Sequence, residues 1–146
     1  MTAQAQVLHA TCVAAGDRGL LILGASGRGK SALALQLIAL GAVLVADDRV
    51  AITADGAEGL RARCPVPAFR GMIEARGFGL LTLRAQDSAR LILALDLDGD
   101  ERDRLPQPRS LTLLGRTIPL ALRPAGDHLP SALWCHLQGA PRSLGE

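Results

Sequence analysis

Apolar residues fall along the chain in short runs broken by glycine, proline and acidic positions, a rhythm of strands with few helices. Residues 7–13 and 19–23 are two such runs, and Ala15, Gly16, Asp17 and Arg18 between them read as a turn joining two strands. The second run passes straight into a glycine-rich loop. The period then changes. Over 31–40, Leu33, Leu37 and Leu40 recur at helical spacing, Leu35 and Ile38 widen the apolar face, and Gly41 stands where a helix stops. Residues 42–46 are short, aliphatic and β-branched and end at Asp47 and Asp48, after which 50–53 resumes the apolar pattern: strand, acidic corner, strand.

Downstream, Asp55 and Gly56 supply a turn, 60–63 reads as a further short strand, and Pro65 and Pro67 open a segment expected to be irregular as far as Gly79. Strands are expected over 80–83 and 91–96. Residues 98–109, polar and carrying two prolines, should be exposed and mobile. A hairpin is expected from 111–114 and 117–122 around Gly115 and Arg116. The chain closes with a helix over 127–137, with Asp127 as its cap, Pro130 in its first turn, and Leu133, Trp134 and Leu137 facing inward.

With 146 residues the chain suits a single domain, expected over 1–146, with one contiguous core. Phe69, Phe78 and Trp134 are its only aromatic residues, so Leu, Ile, Val and Ala must fill that core. The formal charge of +2 is dispersed, without the basic face or interleaved aromatics that grip nucleic acid. The longest apolar stretch, 32–46, is interrupted by Gln36 and Gly41 and is shorter than the ~20 residues a bilayer span requires. Nothing at the N-terminus resembles a secretory signal, which points to a cytoplasmic protein. Cys12, Cys64 and Cys135 are far apart and odd in number, and read as reduced thiols.

The chemistry gathers in Gly24-Ala25-Ser26-Gly27-Arg28-Gly29-Lys30-Ser31, which satisfies GxxxxGK(S/T) between a strand and a helix. Glycines let the backbone wrap phosphate oxygens, and the helix start adds N–H donors and a positive dipole end. In such a loop Lys30 bridges the β- and γ-phosphates and Ser31 ligates Mg²⁺. Lys30 is the sole lysine; the fifteen other basic side chains are arginines. A compact ammonium suits this cradle where a wide planar fork does not. Asp47 and Asp48 end the strand after the P-loop helix, so both should face the same crevice as the phosphates. Adjacent carboxylates there can divide metal binding and proton acceptance between them. Asp96, ending 91–96, is a second-ranked acidic partner.

His9, then GASGRGKS, then VADDRV, then IEARGFG, in this order, resemble the bacterial HPr kinase/phosphorylase family. That resemblance implies an α/β fold: a P-loop nucleotide-binding domain with a central mixed sheet and few helices. It implies ATP and Mg²⁺ as cofactors and an HPr-type phosphocarrier protein of the phosphotransferase system as the partner phosphorylated on serine. Many family members also reverse the reaction with inorganic phosphate. Asp48 would then be the base toward the serine hydroxyl with His9 tuning it. Glu74 and Ser31 would share the metal with Asp47, and Arg76 and Arg104 would act at the site. Assembly as a homo-oligomer, a hexamer, follows from the same resemblance. Two departures stand out. The P-loop strand begins near residue 19, from which only the catalytic domain is expected, without the separate N-terminal domain common in the family, and Arg123-Pro124-Ala125-Gly126-Asp127 stands where the family has RPGRN, a segment tied to dephosphorylation. The competing readings are a nucleotide-gated regulator that binds ATP and a partner without transfer, and a small-molecule kinase, for which only 98–109 could serve as a lid.

Overall fold

A computed structural model describes residues 4–145. Eleven strands and two α-helices follow in the order β1 (Ala5–His9), β2 (Thr11–Ala15), β3 (Arg18–Leu23), α1 (Lys30–Leu40), β4 (Val43–Ala46), β5 (Arg49–Asp55), β6 (Gly59–Arg63), β7 (Met72–Ala75), β8 (Gly79–Thr82), β9 (Ser88–Glu101), β10 (Ser110–Leu113), β11 (Arg116–Pro124) and α2 (Leu129–Leu137). The main sheet runs β1-β5-β6-β9-β3-β2-β4, with β11 parallel to the second half of β9 and β10 beyond it. Only β3 with β9 and β9 with β11 are parallel; the other pairs are antiparallel, so the sheet is mixed.

The apolar run expected as one strand over 7–13 is two, broken at Ala10. Its first half pairs with β5, His9 opposite Arg49, and its second half with β4, Cys12 opposite Ala46. Between them the Ala10 N–H donates to the Asp48 carbonyl at 3.2 Å. The segments 5–15 and 43–55 thus form one antiparallel ribbon, bent where Ala10 faces the acidic corner, and the bend joins the two ends of the sheet. Asp48 makes the turn with φ 68°, a left-handed conformation that Asp tolerates better than most side chains.

Two cores result. Cys12, Leu21, Val50, Ile52, Leu60, Leu91 and Ile118 pack strand against strand. On the other side Leu20, Ile22, Leu93, Leu95 and Leu97 meet Leu33 and Leu37 of α1 and Leu133 and Leu137 of α2. Strands covered on both faces are apolar without alternation, and Leu20, Leu21 and Ile22 are all fully buried. Truncating Leu37 to alanine at this helix–sheet junction should cost about 2–5 kcal/mol. Helix α1 ends at Gly41 (φ 131°), whose N–H reaches the Leu37 and Ile38 carbonyls and whose Cα lies under the Trp134 ring.

Three local expectations need correction. Residues 72–75 are strand, not irregular: β7 and β8 form a separate hairpin anchored by fully buried Ile73. Strand β9 runs on to Glu101, so 98–101 is ladder rather than loop, with Asp100 opposite Arg123. Helix α2 starts one residue later than Asp127 can cap; its N-cap is His128, without a side-chain capping bond.

Candidate active site

The turn from β3 to α1 is set by backbone that only glycine adopts readily. Gly24, Gly27 and Gly29 have φ of 153°, 84° and 99°, and Gly29 is the N-cap of α1 in the left-handed region, with no side-chain cap and no acidic residue in the first turn. The first N–H groups of α1 are therefore left for an external anion. Lys30, 7% exposed, folds back so that Nζ donates to the Gly24 and Ala25 carbonyls at 2.6 and 3.2 Å. Ser31, one residue into the helix, donates through Oγ to Asp47 Oδ1 at 2.8 Å.

The acidic corner meets this loop because β4 lies two strands from β3, both running toward the same edge with β2 between them. Asp47 Oδ1 also accepts from Thr11 Oγ1 at 2.9 Å, and Thr11 is fully buried. Asp47 is thus held by two hydroxyls, one from the P-loop helix and one from β2. Asp48 has a different partner: His9 Nε2 donates to its Oδ1 at 2.9 Å, and both side chains are solvent-accessible. One carboxylate is pinned at the base of the loop and its neighbour is presented outward on an imidazole.

A cavity of about 690 Å³ opens over these groups. His9, Thr11, Lys30, Ser31, Asp47 and Asp48 line one side, and the β7–β8 hairpin closes the other with Glu74 and Arg76. The Arg76 Nη1 atom lies 3.9 Å from where a Cβ on Gly27 would stand. Gly27, Gly29 and Ser26 also line the cavity; Gly24 and Ala25 contribute the carbonyls under Lys30. Arg104 is elsewhere, on a second cavity between β11 and α2.

The loop's remaining contacts rest on Asp98, which the sequence pattern did not single out, and on Arg123, the first residue of the altered RPGRN segment. Asp98 Oδ2 accepts the Ala25 N–H at 2.9 Å, and its Oδ1 pairs with Arg28 Nε at 3.1 Å. Arg123 Nη2 donates to the Arg28 carbonyl at 2.7 Å and Nε to the Leu97 carbonyl at 3.4 Å. The acid that reaches the loop from β9 is therefore Asp98, two residues past Asp96, whose carboxylate instead accepts the Asp98 N–H at 2.9 Å. Thr11 was detectable as the polar residue inside an apolar run. Asp98 carried no such signal, and Arg123 was marked only as the start of the altered RPGRN segment, with no partner indicated.

Magnesium suits this donor set. Hard oxygen ligands from Ser31 and Asp47 sit at the helix start, with Glu74 across the cavity, while no group of three or more acidic, His or Cys side chains clusters as a metal cage among the described residues. Few protein ligands, the rest from phosphates and water, is how magnesium is held in phosphoryl-transfer sites.

Strand, glycine loop and helix beginning at its lysine define a P-loop domain of α/β class. A family model, HPr Serine kinase C-terminal domain, matches residues 1–92, and the chain belongs to that family. It is 45% identical over 78 residues to an HPr kinase/phosphorylase of Chromobacterium violaceum, covering 53% of this chain and 24% of that one. With the Cupriavidus necator HPr kinase/phosphorylase it shares 39% over 111 residues, covering 68% and 34%. The chain thus spans about a quarter to a third of the length of these curated relatives. The solved HPr(Ser) kinase/phosphatase of Coxiella burnetii superposes with TM-score 0.76 at 26% identity, over 91% of this chain and 88% of that one.

Proposed function

We propose that the chain is an ATP- and Mg²⁺-dependent protein-serine kinase acting on an HPr-type phosphocarrier protein. The observation that carries this is the split acidic corner: Asp47 tied to Ser31 and Thr11, and Asp48 free toward the same cavity on His9. Lys30 and the first N–H groups of α1 would hold the terminal phosphates, with Arg76 over the loop. Ser31, Asp47 and Glu74 would hold Mg²⁺, which screens charge on the transferring group. The acceptor serine oxygen attacks the γ-phosphorus as the bond to the β–γ bridging oxygen breaks; its proton passes to the Asp48 carboxylate and ADP leaves. His9, donating to Oδ1, orients the other Asp48 oxygen for that proton. Homologues named HPr kinase/phosphorylase and the shared fold support this reading.

The experiment mixes the protein with ATP, Mg²⁺ and an HPr-type protein and reads the mass of the carrier. One added phosphoryl group on serine is the expected result. An unmodified carrier with ATP still bound would overturn the kinase reading and favour a nucleotide-gated regulator. Adding inorganic phosphate to the phosphorylated carrier tests the reverse direction, for which the Arg123 to Asp127 segment departs from the family pattern.

A further inference from the structure

The second cavity, about 430 Å³, lies between β11, α2 and the C-terminal tail and shares no lining residue with the P-loop cavity. Its size is that of a small-molecule site. The walls are half-buried leucines, Leu120 and Leu122 on β11 and Leu129 on α2, with Ala132 open above them. The tail closes it: the Gly145 N–H donates to the Pro106 carbonyl at 2.9 Å, and His136 Nδ1 bonds the Ala140 carbonyl at 2.7 Å.

Two guanidiniums, Arg104 and Arg142, stand on this apolar floor. Among the described residues neither has an ion pair or hydrogen bond, and Arg142 is partly buried, so desolvation lowers its pKa. The acids nearby do not offset both. Glu101 is chelated by Arg109 through both oxygens at 3.3 Å and accepts the Arg102 and Asp103 N–H groups, which leaves Asp103 as the one lining acid without an ion pair among the described residues. A half-buried, unpaired guanidinium above leucines is costly unless an anion completes it. Every residue lining the cavity lies beyond residue 92, outside the segment the family model matches.

We infer that this cleft is a second ligand site, separate from the P-loop cavity, for a small amphipathic carboxylate whose apolar body lies on Leu120, Leu122 and Leu129 and whose head is held by Arg142 and Arg104. A planar carboxylate matches the guanidinium fork, and the leucines select for an apolar body over a bare anion.

The test is calorimetric titration of the full chain with octanoate, with inorganic phosphate as the anion lacking an apolar body. Saturable binding of one octanoate per chain is expected, weakened about tenfold or more in Arg142→Gln and blocked in Ala132→Phe, which fills the mouth from an exposed helix position. Maleimide labelling of Cys135, exposed on the rim, should slow in the same titration. Absence of saturable heat at millimolar octanoate, equal affinity in Arg142→Gln, or equally tight binding of phosphate would overturn the inference. Arg142→Gln replaces a partly exposed side chain without a partner, so its effect reads the site even if Ala132→Phe does not fold.

Discussion

The two neighbouring aspartates are the same residue type doing different things because of what each touches. Asp47 accepts from Thr11 and Ser31, and Asp48 accepts from His9 at a backbone angle few side chains hold. Asparagine also tolerates that angle. Asp48→Asn should therefore keep the thermal midpoint within a degree or two of the parent while transfer to the carrier falls by about 10²–10⁴, the span of a lost general base; nucleotide binding by calorimetry and carrier phosphorylation by mass separate the two. Thr11→Val keeps shape and removes one donor from Asp47. It should cost about 1 kcal/mol in urea unfolding and raise the Mg²⁺ concentration needed for half-maximal turnover, because Asp47 loses one of its two supports. Lys30, Ser31, Asp47 and Asp48 could be found in the sequence since spacing alone fixes them relative to a strand and a helix. Asp98 could not, because it falls in a stretch that reads as a polar loop; Arg123, marked only by the altered family segment it opens, bonds the Arg28 and Leu97 carbonyls, and backbone partners leave no trace in residue type.

At the scale of elements, the P-loop turn depends on φ values rather than on side-chain contacts. A Cβ on Gly29 would meet nothing within 4 Å, so the cost of Gly29→Ala is backbone strain alone, roughly 1–2 kcal/mol. The helix start would shift, and ATP affinity should fall with stability. Gly41→Ala combines φ 131° with a Cβ 2.9 Å from Trp134 Cζ2, and should cost more. Trp134 is the sole tryptophan, so its fluorescence reports that end of α1 directly. Helix α1 was legible because its leucines recur with a clear period and glycines bound it. The split at Ala10 was not: both halves of 5–15 are apolar enough to be strand, and the break comes from pairing with a partner that turns at Asp48. The extension of β9 past Asp96 was hidden for the opposite reason. Asp98 and Asp100 face solvent while Leu97 packs inward, so the ladder looked like a polar loop.

The whole molecule has two cores on opposite faces of one folded sheet, and its thiols and charges reflect that. Cys12 lies fully buried in the strand–strand core, and burial pushes its thiol up to about 12, so alkylating reagents should reach it only on unfolding, well after Cys135. Asp17, at the β2–β3 turn, is bound by both Arg61 nitrogens at 2.9 Å, and that hydrogen-bonded guanidinium holds its carboxyl below the ordinary range. A lowered folded-state pKa adds stability above the unfolded value of about 4, lost as pH falls through the folded value. Because Asp17 is largely exposed the gain is screened. Asp17→Asn should lower unfolding free energy by a few tenths to about 1 kcal/mol around neutral pH and by progressively less as pH falls through the folded value, read by urea melts across that range. Every other basic side chain being arginine has a practical sequel. An amine-directed acylating reagent meets one side-chain target in the protein, at the floor of the phosphate cradle. The extent of acylation at that position, counted by mass against added nucleotide, reports occupancy of the cradle without any assay of turnover.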